Sequence, residues 1–145
     1  MYFVDRDKIE ETLVYFEKNF TLFGEHNEWK TDIEVKALER LAQMMIEAIL
    51  DTGNAIIDGF IMRDPGSYED IIDIMLDEKV VEQDEAAGLK EVIGFRKQLV
   101  QEYLSIDHTA LTDSLKKQSE VLQNFPSRVR VYLENELGPV SAFRH

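Results

Sequence analysis

The stretch from Thr31 to Met62 constrains the fold more than any other part of this chain. Val35, Leu38, Ala42, Met45, Ile46, Ile49, Gly53, Ile56, Ile57 and Phe60 recur along it at mostly three- and four-residue spacing. Wound at about 100° per residue they share one helical arc, and no two-residue alternation competes with that reading. So long an apolar face is buried only against other helices. The chain is therefore predicted to be all-α, an antiparallel bundle of four to five helices. Arg63-Asp64-Pro65-Gly66 ends the long helix, because proline and glycine both oppose continuation.

The remaining helices follow from the same spacing. A first helix from about Asp5 to Phe23 places Ile9, Leu13, Phe16, Phe20 and Phe23 on one face. Ser67 is an N-cap for a short third helix, with Asp70 three residues on. Asp84 is expected to cap a fourth that runs to about Leu104. A fifth begins near Asp107, Pro126 is expected to kink or restart it, and a last amphipathic piece covers Val129 to Leu137. At 145 residues, one domain spanning 1–145 is expected.

Composition excludes several classes of chemistry. The chain has no cysteine, which removes disulfide frameworks, thiolate zinc sites and cysteine nucleophiles. No apolar run approaches the roughly 18–20 residues of a membrane span, so no membrane partner and a cytoplasmic placement are expected. A formal net charge of −13 repels phosphate backbones and disfavours RNA as a partner unless a local basic cleft is present. No cofactor or metal is expected. Phosphate-binding glycine loops are absent, and the residues three before His26, His108 and His145 are Phe23, Ser105 and Ala142, so no Glu-x-x-His pair exists. Asp70, Asp73 and Asp77 read as a solvated acidic face. Phe16, Phe20, Phe23 and Trp29 read as core and loop cover, Met45 as core, and Met44 as a surface position open to a subunit contact.

Arg96 does not fit this plan. Leu89, Val92, Ile93, Leu99 and Val100 define the buried arc of the expected fourth helix, with Arg96 in its middle and Tyr103 beside it. A guanidinium keeps its proton and needs a partner or an anionic ligand. The long helix offers a polar ridge of Glu39, Gln43, Glu47 and Asn54, with Glu39 nearest the apolar arc. A structural ion pair with that ridge and a ligand-facing arginine in an intersubunit cleft are both open on periodicity alone.

The same segment resembles a known family. Phe95-Arg96-Lys97-Gln98-Leu99-Val100-Gln101-Glu102-Tyr103-Leu104-Ser105-Ile106-Asp107 is similar to the signature of HepT-like HEPN domains, an arginine, four residues, a histidine, one residue and a tyrosine. Glu39-Arg40, Gln43, Ile46-Glu47-Ala48 and Asp51 resemble the family's long-helix pattern, and Pro65, Ser67-Tyr68 and Leu76-Asp77-Glu78 its middle segment. The resemblance implies a helical homodimer whose paired signatures line a cleft, in a ribonuclease toxin neutralised by an MNT-type nucleotidyltransferase. In some such pairs the partner attaches AMP to the signature tyrosine, here Tyr103. By the same resemblance Arg96 is the catalytic arginine and Gln101 occupies the histidine position; the ridge carboxylates Glu39 and Glu47 are expected to support Arg96 as ion-pair partners.

That one departure bears on chemistry. Metal-independent RNA cleavage needs a base for the 2′-hydroxyl and an acid for the leaving oxygen, and histidine titrates in the right range for both. Glutamine does not. The expectation is a HepT-like protein with weak or no ribonuclease activity, acting through binding. The alternatives are an active metal-independent endoribonuclease toxin that tolerates Gln101, and a protein whose functional residue is the AMP acceptor Tyr103. Lys97 also departs from the family's asparagine, and His108 reads as a surface histidine at a helix start.

Overall fold

A computed structural model of the chain describes residues 4–138. Those residues form α1 (Arg6–Glu25), α2 (Asp32–Gly59), α3 (Tyr68–Asp77), α4 (Gln83–Ile93), α5 (Arg96–Val100), a 3-10 turn (Tyr103–Ser105), α6 (His108–Lys117) and α7 (Ser119–Leu137). No strand occurs among the described residues, and none of their helices is long and apolar enough to cross a membrane.

Helix α2 is the centre of the bundle. It pairs most extensively with α1, and α3 and α5 also pack on it. Thr31 starts it with a reciprocal cap: its hydroxyl accepts from Glu34 N, and the Glu34 carboxylate accepts from Thr31 N. Glu34 also meets His26, and these bonds, with Thr31 first, hold its pKa down to about 2. Leu38, Ala42, Met45, Ile46, Ile49 and Ile56 are fully buried, together with Ile9, Leu13 and Phe16 of α1 and Leu122, Phe125 and Val129 of α7. Phe16 and Phe125 meet at 5.8 Å between ring centroids. A Cβ on Gly53 would collide with Ile71, so that glycine permits the close approach of α3. Trp29 stacks on Phe23 at 5.7 Å and closes the α1–α2 end of the bundle.

Three boundaries differ from the sequence expectation, each for a local reason. The expected fourth helix is two pieces. Phe95 N bonds to Val92 O at three-residue spacing, the chain tightens through Gly94, and a new helix starts at Arg96. It ends at Val100, so Tyr103 lies off the rod on which it was projected. The cap also shifts: Glu82, not Asp84, precedes α4, and its N–H bonds to the buried Glu85 carboxylate. The fifth helix breaks at Gln118, where Glu91 of α4 accepts from Ser114, Lys117 and Gln118. Helix α7 then runs through the buried Pro126 without restarting there. The acidic face of α3 is paired: Asp70 accepts a two-bond fork from Arg63, and Asp73 meets Lys90. The Arg63 fork, with a bond from Gly66 N, lowers the Asp70 pKa to about 2.

The end of α2 stores strain. Met62 N bonds to Ile57 O and Ile61 N to Asp58 O, the paired bonds of a Schellman stop. Its left-handed position holds Ile61, at φ 57°, where glycine is usual. Ile61→Gly relieves about 1–2 kcal/mol of left-handed strain against a smaller entropic loss. It should raise stability by about 0.5–1 kcal/mol in urea unfolding, and unchanged or lowered stability would show that Ile61 is not strained.

Candidate functional site

The polar ridge of α2 organises the site. Glu39, Gln43 and Glu47 stand one turn apart on it, so the two carboxylates are about 12 Å apart along the axis. Each meets a residue of the chain that follows α4. Arg96 Nε donates to Glu47 Oε1 at 2.6 Å, and His108 Nε2 lies 2.7 Å from Glu39 Oε2. Glu39 also has Lys36 at 3.6 Å. The Glu47 bond is the first cause that raises the Arg96 pKa, against a cost from burial. One turn beyond, burial and then the Glu47 charge push the Asp51 carboxyl up.

Arg96 is not in the middle of a buried arc. Because α5 restarts at Arg96, its side chain stands at a helix start and is 21% exposed, against 29% for Glu47. A second group holds it: its guanidinium carbon lies 4.4 Å from the centre of the Tyr68 ring. Tyr68 is the first residue of α3 and was not singled out for a role from sequence, although the Ser67-Tyr68 match was the available signal.

Between the start of α3 and α5 lies a cavity of about 420 Å³. Tyr68 and Glu69 of α3 line it, as do Ile93 at the end of α4 and Arg96, Lys97 and Gln101 along and just after α5. None of the described residues lining it is a histidine. Arg96 and Gln101 therefore share one cleft. Tyr103 does not line it, and stands 64% exposed on the 3-10 turn beside Leu104, itself 93% exposed. The loop between them is pinned where it leaves: Asp107 N donates to Gln98 Oε1, and Asp107 then caps α6 through Ala110 N. His108 is half-buried on Glu39 rather than free on the surface. A second cleft, of about 310 Å³, lies behind Glu47 between α1 and α2 and includes Met44, Tyr15 and Asp51.

Residues 9–129 match the family model described as Ribonuclease HepT-like. The chain belongs to the HepT-like family. It is 56% identical over 144 residues to the Bacillus subtilis (strain 168) protein named "Putative RNase YutE", a match covering 99% of this chain and 100% of that one. A solved structure of the cytosolic B. subtilis YutE superposes with a TM-score of 0.95 at the same identity and coverage. A crystal structure of a toxin–antitoxin with AMP-PNP matches with a TM-score of 0.73 at 14% identity, over 83% of this chain and 96% of that one. At that identity the likeness is one of fold. Within the HepT-like fold, this chain carries Arg96 and Gln101 at opposite ends of α5.

The Arg96–Glu47 bond is partly shielded and charge-assisted, so either partner left alone is poorly solvated. Glu47→Ala and Arg96→Ala should each lower stability by about 1–3 kcal/mol, and the double variant should cost less than their sum. Additive losses in urea unfolding would mean the two side chains do not depend on each other.

Proposed function

We propose that this HepT-like protein is a homodimer that binds RNA at the Arg96 cleft and cuts it weakly or not at all. The observation that carries the reading is the lining of the cavity: Arg96, Lys97 and Gln101 converge there without a histidine. Arginine can neutralise a phosphate through fork-like bonds, and its position is fixed beforehand by Glu47 and Tyr68. Cleavage needs more. A base must take the 2′-hydroxyl proton so that the 2′-oxygen attacks phosphorus, and an acid must protonate the departing 5′-oxygen. The Gln101 amide does neither near neutrality, and losing such a group typically costs about 10²–10⁴ in rate. His108 is engaged with Glu39 at the far end of the ridge, about 12 Å from Glu47 along α2.

Restoring the missing group tests this. Purified protein without added metal should leave RNA intact or cut it slowly, and Gln101→His should cut at least about 10²-fold faster. Cleavage by the unaltered protein, abolished in Arg96→Ala, would overturn the reading and establish a working ribonuclease, the activity that the name of the B. subtilis relative carries.

A second reading rests on Tyr103. Its exposed position on a turn outside the cavity suits a side chain that a second protein must reach. In that reading an MNT-type nucleotidyltransferase partner presents ATP. The Tyr103 oxygen attacks the α-phosphorus, pyrophosphate leaves, and the phenol proton goes to solvent. Incubated with such a partner and ATP, the protein should gain the mass of one AMP group and Tyr103→Phe should gain none. An equal gain in Tyr103→Phe would exclude this tyrosine as acceptor.

A further inference from the structure

The cleft contains one large exposed group that the chemistry above uses only to hold Arg96. Tyr68 is 50% exposed although its ring is in contact with the Arg96 guanidinium. Its backbone is held by a chain of local bonds. Ser67 caps α3 by accepting from Asp70 N, and Asp70 is tied in turn to Gly66 N and to the Arg63 fork. Against the ring, Arg96 is held by Glu47, and Lys97 and Gln101 line the same cleft along α5 and at its end. An aromatic ring on a helix start thus lines a cleft of about 420 Å³ together with two cations and an amide, and touches the first of those cations.

Single-stranded nucleic acids are bound by this combination of groups. Aromatic rings carry the bases, whatever their identity, and nearby cations follow the phosphates. A tyrosine that only oriented Arg96 would gain nothing from its exposed half. A tyrosine serving as a platform needs both: one part of the ring against the guanidinium, the rest open to a base.

We propose that Tyr68 is a base-stacking residue of the Arg96 cleft, holding a nucleobase of single-stranded RNA so that the adjoining phosphate meets Arg96 and Lys97. The proposal rests on the RNA-binding reading above and specifies what the cleft recognises: an unpaired base next to a phosphate, in preference to duplex. Glu69, on the same rim, disfavours a second phosphate on the α3 side, so the base enters on that side and the backbone on the α5 side.

Fluorescence anisotropy with the full chain and a labelled oligoadenylate of about ten nucleotides tests it, beside a ribose-phosphate chain of equal length without bases. Tyr68→Leu should weaken oligoadenylate binding roughly tenfold, while Tyr68→Phe stays within about twofold of the unaltered protein. On the abasic chain Tyr68→Leu should bind within about threefold of the unaltered protein, a loss that reflects only the ring behind Arg96. The slope of log affinity against log salt should be the same for these two and fall by about one for Arg96→Ala. Equal weakening of Tyr68→Leu on both chains would overturn stacking and reduce Tyr68 to a positioning residue for Arg96. Unchanged oligoadenylate binding by Tyr68→Leu, with Arg96→Ala weakened, would remove the Tyr68 proposal and leave RNA binding standing. Failure of the unaltered protein to bind oligoadenylate would overturn both.

Discussion

The structure depends on one constraint, the burial of most of the length of α2. A helix of 28 residues with so many fully buried side chains needs neighbours along most of its length. Helix α1 supplies the longest of them, and α3 and α5 meet α2 through shorter contacts. Each buried Leu, Ile or Phe contributes on the order of 1.5–3 kcal/mol, so the position of α2 is far better determined than that of any polar contact. The carboxylate ridge inherits that rigidity. Glu39 and Glu47 are fixed in space by the apolar arc beside them, and the chain after α4 is arranged to meet them.

The Arg96–Glu47 bond follows from this arrangement more than it causes it. Two half-shielded charges at 2.6 Å attract strongly, but both lose hydration on the way, so their net gain is modest. What the pair adds is direction. With Nε bonded to Glu47 and the guanidinium lying against Tyr68, Arg96 has little freedom left to lose when an anion arrives. Three helices, α2, α3 and α5, each contribute one of the three residues in that arrangement, and α2 and α5 also lie next to each other in the bundle.

Much of this was legible in the residues, and the rest failed for one recurring reason. The long apolar arc, the Ser67 cap and the ridge that could receive Arg96 are local patterns of spacing, which a helical projection reads directly. That projection also assumes an unbroken cylinder. At Gly94 the cylinder breaks, so Arg96 moves from the middle of a buried arc to a helix start, and Tyr103 moves from its side to an exposed turn. The pairing of His108 with Glu39 was hidden by the same break, since it depends on where α6 begins in space. The contact of Tyr68 with Arg96 is hidden for a different reason: a cation–π contact between residues so far apart in sequence leaves no periodic trace, although Ser67-Tyr68 matches the family's pattern. Pro126 does not restart the helix, because a buried proline can sit inside a helix that loses one bond.

Net charge alone does not decide whether RNA can approach this protein. Many of its carboxylates are already matched within the fold: Glu10 and Glu17 with Arg130, Glu85 with Arg128, Glu91 with Lys117 and Asp70 with Arg63. Beyond about 8 Å at physiological salt, the remaining exposed charges are largely screened, and the local groups of the cleft dominate. Those groups are few. Arg96 is partly offset by Glu47, Lys97 has Glu102 at 3.8 Å, and Glu69 lines the same cleft. One protomer thus offers cations for one or two phosphates, which supports only weak binding by counterion release. Two requirements follow for a working RNA site of this design. Affinity must come partly from groups insensitive to net charge, as base stacking is, and a second copy must add its own arginine to the same strand, as the proposed homodimer does.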